Sequence, residues 1–175
     1  LLRTGDTDVV YLTWQWQRAW WETRGKGDLL LLAAERDAEV VALAPFHVRH
    51  EGLIYFVGYK SSDYLDFIGD VGEPEVLDAI LTAARDRVPG FKGFRLDAVP
   101  RRSRTGPRLE AASCRLHFSC FDESDGKVPV LDLVGRPEAG PEAANKESLR
   151  RREWWFRRQG GFEVHRDGGI WPATL

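Results

Sequence analysis

The stretch that decides the fold is Leu29-Leu30-Leu31-Leu32-Ala33-Ala34-Glu35-Arg36-Asp37-Ala38-Glu39-Val40-Val41-Ala42-Leu43-Ala44-Pro45-Phe46-His47-Val48. It holds two apolar runs, 29–35 and 39–48, with Arg36-Asp37-Ala38 between them as a turn. Each run is too short and too continuous for an amphipathic helix, so the pair reads as a hairpin with one strand largely buried. Pro45 removes a ladder donor, which predicts a bulge or an edge position there.

Outward from the hairpin, His50-Glu51-Gly52 turns the chain into a third strand, 53–57. A loop follows at 58–62, and 64–68 reads as a short fourth strand. Pro74 opens a helix that runs to about Val88, with Val76, Leu77, Ile80, Leu81, Ala84 and Val88 as its apolar stripe. Pro89-Gly90 ends it. Phe94, Leu96 and Ala98 alternate with polar residues and predict a fifth strand. A short helix near 107–113 and strands near 116–121 and 128–133 complete the sheet.

Upstream, a helix is expected over 13–24, capped by Thr13 and stopped by Gly25. At about 100° per residue, Trp16, Ala19 and Trp20 share one face with Leu12, while Trp14 and Trp21 fall nearly opposite. A helix apolar on two sides is covered on two sides, by the sheet and by a second element, a ligand or another domain. Downstream, 135–141 is rich in Gly, Pro, Glu and Ala and reads as a linker. A helix over 145–159 follows, with Asn145 as its cap and Gly160-Gly161 as its stop, and 162–166 reads as a strand. Strands, then a helix, then further strands give an α/β (α+β) fold: a mixed, mostly antiparallel sheet with flanking helices.

The bulk properties narrow the function. Of 175 residues 43% are hydrophobic and 30% charged, which fits a globular domain with a core. A net charge of −2 gives no global attraction to nucleic acid or anionic membrane. The basic 145–159 helix is a local exception, too small to make DNA the expected partner. No run approaches the ~18 apolar residues of a membrane span. Two cysteines, Cys114 and Cys120, form neither a disulfide framework nor a zinc spacing, and the four histidines are scattered, so no metal is expected and a reducing, cytoplasmic compartment is the easier reading. The absence of Met, and the Gly168-Gly169-Ile170-Trp171-Pro172-Ala173-Thr174-Leu175 ending, predict a chain cut at both ends.

Several segments, in order, resemble a known family. Trp16-Gln17-Arg18-Ala19-Trp20-Trp21 is similar to the early tryptophan helix of FemAB-like and CelD-type acetyltransferases. Val41-Ala42-Leu43-Ala44-Pro45-Phe46 is similar to that family's apolar strand with its Ala-Pro step. Gly58 through Ser62 into Asp63-Tyr64-Leu65-Asp66 resembles its G…DY.D segment. Asn145-Lys146-Glu147-Ser148-Leu149-Arg150-Arg151-Arg152 with Gly160-Gly161 resembles the helix that opens its second domain. The resemblance implies a GNAT-like lobe over 1–134, a linker at 135–144, and the first helix and strand of a second lobe over 145–175. It implies acyl transfer to an amine or hydroxyl of a saccharide, peptide or cell-envelope precursor. The donor is an acyl-CoA or an aminoacyl-tRNA; the lack of extra helical arms favours acetyl-CoA or another acyl-CoA, bound mainly by the second lobe. The alternative is a lobe that only binds the acceptor and catalyses nothing.

Acyl transfer needs a positioned nucleophile, a base for its proton and donors for the oxyanion. Lys60-Ser61-Ser62-Asp63-Tyr64-Leu65-Asp66 gathers a cation, two hydroxyls, two carboxylates and a phenol. Asp63 or Asp66 is the candidate to orient or deprotonate an acceptor, with Tyr64 hydrogen-bonding it; the plainer reading is a solvated polar turn. Lys146 and Arg150 stand one helical turn apart and suit a phosphate or carboxylate, or else form a solvated basic face. Trp14 and Trp21 line an acceptor groove or, the favoured reading, pack on the second lobe. Arg157-Arg158-Gln159-Gly160-Gly161 superficially matches a pyrophosphate loop, but its glycines should end a helix rather than open one. Cys114 is not expected to be a nucleophile, since no histidine partner is indicated.

Overall fold

The computed structural model describes residues 1–123 and 134–160. The chain divides into two compact units, Leu1–Asp122 and Glu123–Leu175.

In the first unit the hairpin forms as its sequence predicts. Strand β1 (Asp28–Arg36) pairs antiparallel with β2 (Glu39–Val48). Asp37 and Ala38 connect them with φ of 52° and 63°, so both turn residues are left-handed, as a tight hairpin of primed type requires. The register slips between Ala34 and Glu35, next to that turn. Pro45 corrects the sequence reading: it sits at neither a bulge nor an edge. Strand β2 is central, meeting β3 (Leu53–Phe56) through Phe46, His47 and Val48 and β4 (Ile68–Gly69) through Ala42 and Leu43. The Pro45 carbonyl accepts from Val57 N at 2.7 Å, on the side where β4 gives way to β3. A residue's N–H and C=O point the same way in an antiparallel ladder, so the missing donor falls in that gap.

Helix α2 (Pro74–Arg87) starts at its proline and lays Leu77, Ile80, Leu81 and Ala84 on the sheet. It carries the chain to β5 (Gly93–Arg95), which runs parallel to β3. The sheet order is therefore β1-β2-β3-β5 with β4 beside β2: a mixed, mostly antiparallel open sheet flanked by helices. Three fully buried rings centre the core, with Phe46–Phe56, Phe46–Phe67 and Phe56–Phe67 centroids at 5.4, 5.8 and 5.3 Å. Burying each contributes about 2–3 kcal/mol relative to leaving it in water.

Helix α1 (Trp14–Arg24) is capped as expected, Thr13 Oγ1 accepting from Trp16 N at 3.4 Å. Its inward face differs from the wheel reading. Trp20 and Gln17 are buried while Ala19 is exposed, because the Gln17 amide donates to the Tyr11 carbonyl and so tolerates burial. The outer face is covered only in part: Trp14 is 67% exposed, while Trp21 is half-buried beside His47.

Of two further strands expected in this unit, one is cut short and the other does not form. Residues 64–67 belong to no strand, and only Ile68–Gly69 enters the sheet. Leu116 instead closes a longer helix, α3 (Thr105–Leu116), whose left-handed cap His117 lets Phe118 N bond the Ser113 carbonyl at 2.9 Å. No strand follows over 117–123. The expected strands at 128–133 and 162–166 lie outside the described residues.

In the second unit, the stretch read as a linker enters a short helix, α4 (Ala139–Ala144). Asn145 ends α4 and does not cap the next helix, α5 (Glu147–Arg158), whose N-cap is Lys146. Gly160 follows α5 with φ of 114°, the left-handed stop predicted from sequence. Trp154 and Trp155 on α5 are about half exposed, and Arg158 lies over the Trp154 ring at 4.6 Å.

Candidate functional site

The loop that carries the candidate residues is bent by two left-handed positions, Gly58 (φ 106°) and Lys60 (φ 62°). A Cβ on Gly58 would lie 2.7 Å from Ser62 Oγ and 2.8 Å from Leu65 Cδ2, so only glycine lets the loop close on itself. Ser61 N bonds the Gly58 carbonyl at 3.0 Å, and Ser61 and Ser62 are both half-buried. Lys60 projects outward, its ammonium 5.3 Å from the Tyr59 ring centroid.

Two aromatic residues from the front of the chain meet this loop. A 3-10 turn at Val10–Leu12 presents Tyr11, and the next turn, on α1, presents Trp16. Their rings stand edge to face at 4.9 Å. The Trp16 indole N–H donates to Ser62 Oγ at 3.0 Å, and the Tyr11 hydroxyl donates to Asp63 Oδ2 at 2.9 Å. Tyr64 lies behind them, half-buried, its ring 6.5 Å from that of Tyr11. The hydrogen bond to Asp63, more than any other influence, raises the Tyr11 pKa, which keeps its proton in place as a donor. The result is an exposed patch with a carboxylate, a phenol, a hydroxyl and ring faces: groups that bind hydroxyls, amines and sugar rings.

Asp66 departs from its expected role. It is 1% exposed, and four donors saturate it: Thr7 Oγ1 and Ser103 Oγ on Oδ2, Thr105 Oγ1 and Phe67 N on Oδ1, at 2.7–2.9 Å. It has no surface to offer an acceptor. Its work is to tie the start of the chain, the segment before β4 and the start of α3 together. Asp6 reinforces that tie. Burial pushes its carboxyl pKa up, but hydrogen bonds from Arg104 and the charge of Arg108 outweigh this and hold it below the usual value.

The remaining candidates are scattered. Trp14 stands at the start of α1 with the Arg18 guanidinium 5.9 Å from its ring centroid. Trp21, two turns further along the same side of the helix, is half-buried, its ring centroid 6.1 Å from that of His47. Lys146 and Arg150 belong to the second unit; both are exposed, and Arg150 N bonds the Lys146 carbonyl at 3.1 Å. Gly160 follows the C-terminal end of α5, where it serves as the helix stop. Cys114 and Cys120 are exposed free thiols.

Sequence reasoning passed over His47. It is 2% exposed, flanked by Trp20 at 5.4 Å and stacked on Tyr55 at 5.5 Å. Its Nδ1 meets the Lys26 carbonyl at 3.2 Å, while Nε2 is buried with no partner among the described residues. Burial is the main reason its pKa is lowered, with Arg49 adding to the effect. The available signal was a lone histidine inside the apolar strand run that also holds Phe46. Among the described residues no group of side chains could hold a metal ion, and no helix is long and apolar enough to cross a membrane.

Comparison with protein-family models, with curated proteins and with solved structures yields no match.

Proposed function

We propose that the Leu1–Asp122 unit is the acceptor-binding lobe of a GNAT-like, FemAB-like acyltransferase. The observation that supports this most is the Tyr11–Asp63 hydrogen bond at 2.9 Å, exposed beside the Trp16–Ser62 bond at 3.0 Å. Asp63 offers an acceptor site for an incoming amine or hydroxyl, Tyr11, its one proton committed to Asp63, offers a phenolic lone pair, and the edge-to-face rings give a surface on which a sugar or peptide can rest. The acyl donor in this reading is an acyl-CoA bound mainly by a second lobe. Transfer forms the acyl–N or acyl–O bond as the thioester C–S bond breaks. The acceptor's proton leaves to a base, and the thiolate takes up a proton to leave as free thiol.

The test is a thermal-shift and titration series with amino sugars and short peptides carrying free amines. Saturable stabilisation that is lost in both Tyr11→Phe and Asp63→Asn supports the reading. Stabilisation that survives both substitutions, or none with any acceptor, refutes it.

A further inference from the structure

Lys26, Gly27, Arg49, His50 and Glu51 line a surface cleft of about 510 Å3, within the size range of small-molecule sites. The cleft is built by backbone constraints. Gly27 has φ of 83°, and a Cβ there would fall 1.9 Å from the Val48 carbonyl oxygen, so only glycine lets the entry to β1 lie against the end of β2. The buried His47 ring, Nδ1 against the Lys26 carbonyl at 3.2 Å, holds the same segment from beneath. Across the cleft, Arg49 N bonds the Leu53 carbonyl at 3.1 Å and Gly52 N bonds the Arg49 carbonyl at 2.9 Å. Lys26 and Arg49 therefore border one cleft because the main chain puts them there.

The charges of the cleft are unbalanced. Arg18, Arg36, Arg104, Arg108 and Arg115 each hold a carboxylate. Neither Lys26 nor Arg49 has an ion pair among the described residues. The Arg49 guanidinium instead rests over the rings of Tyr55 and Tyr59, 5.5 and 5.8 Å from their centroids, which orients its fork. Glu51, the one carboxylate of the lining, meets the Tyr55 hydroxyl at 3.4 Å. Two basic side chains thus line the cleft against one acid. A guanidinium fork engages two oxygens and an ammonium a third, which suits a phosphate better than a two-oxygen carboxylate.

We infer that this cleft binds a phosphate monoester of a hydroxylated small molecule. Lys26 and Arg49 hold the phosphate, and Glu51 accepts from a ligand hydroxyl. The cleft shares no residue with the Tyr11–Asp63 patch, so failure of either assignment leaves the other standing. Calorimetric titration of the full chain with glucose 6-phosphate, inorganic phosphate and glucose, at constant ionic strength, tests it. The sugar phosphate should bind saturably and at least tenfold more tightly than inorganic phosphate. Lys26→Gln and Arg49→Lys should each weaken it at least tenfold, and Arg3→Gln, outside the cleft, should leave it unchanged. Circular dichroism of each variant checks that it is folded. No saturable binding, equal affinity for inorganic phosphate, or full affinity in folded Lys26→Gln overturns the assignment.

Discussion

The Thr105 hydroxyl donates to Asp66 Oδ1 at 2.7 Å, across thirty-nine residues of sequence, in a place that water does not reach. Around that bond Thr7, Ser103 and Phe67 N complete the carboxylate's shell. Asp66→Asn puts an NH2 group against hydroxyls already committed as donors and removes the charge that strengthens them. We expect a loss of about 3 kcal/mol in urea unfolding, with the folded baseline retained. An Asp66→Asn chain with unaltered stability would show that the residue does not fasten the fold.

Acid should weaken the protein through His47. Its folded pKa lies below the usual value of about 6.5, chiefly because it is buried. Between those two values the unfolded chain binds more protons than the folded one, so stability falls as pH falls. Above pH ~6.5 both states are neutral at this residue and its contribution is constant. His47→Phe keeps a ring between Trp20 and Tyr55 and should flatten the slope of Tm against pH just below 6.5. A slope identical to that of the parent would assign the acid sensitivity elsewhere.

The hairpin turn carries strain that one substitution relieves. Ala38 has φ of 63°, a conformation that costs a residue with a Cβ roughly 1–2 kcal/mol. Ala38→Gly removes the clash and partly offsets the gain by loosening the unfolded chain. The net expectation is an increase of about 0.5–1 kcal/mol in chemical denaturation. A decrease would mean that the methyl group makes a contact worth more than the strain.

At the Tyr11–Asp63 patch the expected effect is on binding alone. Asp63 is exposed and Tyr11 only half-buried, and Tyr11→Phe keeps the ring, so Tyr11→Phe and Asp63→Asn should leave Tm within a degree or so of the parent. Acceptor affinity should fall about tenfold in each, and the double variant should lose little more, since the two groups form one hydrogen-bonded pair. Fully additive losses in a titration would show that they act separately.

How far the sequence disclosed this fold depends on the range of the interactions involved. The hairpin, the α2 stripe and the Thr13 cap are local patterns, and all three are legible within about a dozen residues. The segment 64–68 was not. Leu65 and Phe67 alternate around a polar residue as a half-buried strand does, yet Asp66 is as buried as they are because hydroxyls from positions 7, 103 and 105 enclose it. Nothing near Asp66 announces those partners. Helix α3 was legible but misread: Leu109, Ala112, Ser113 and Leu116 have helical spacing, while Leu116, Phe118 and Cys120 mimic the period of a strand. In the candidate patch the loop 60–64 was readable as polar and turned, but Tyr11 and Trp16 join it through contacts fifty-two and forty-six residues apart.

Strand β1 bears on how the protein must be handled. Among the described residues it has β2 on one flank and no strand on the other, and its outer face shows Leu29 at 43% and Leu31 at 56% exposure. From Leu29 to Ala34 it has no charge and no proline to discourage a stranger. Concentrated samples will therefore tend to clump edge to edge, and a lysine at position 31 is the simplest way to keep them clear.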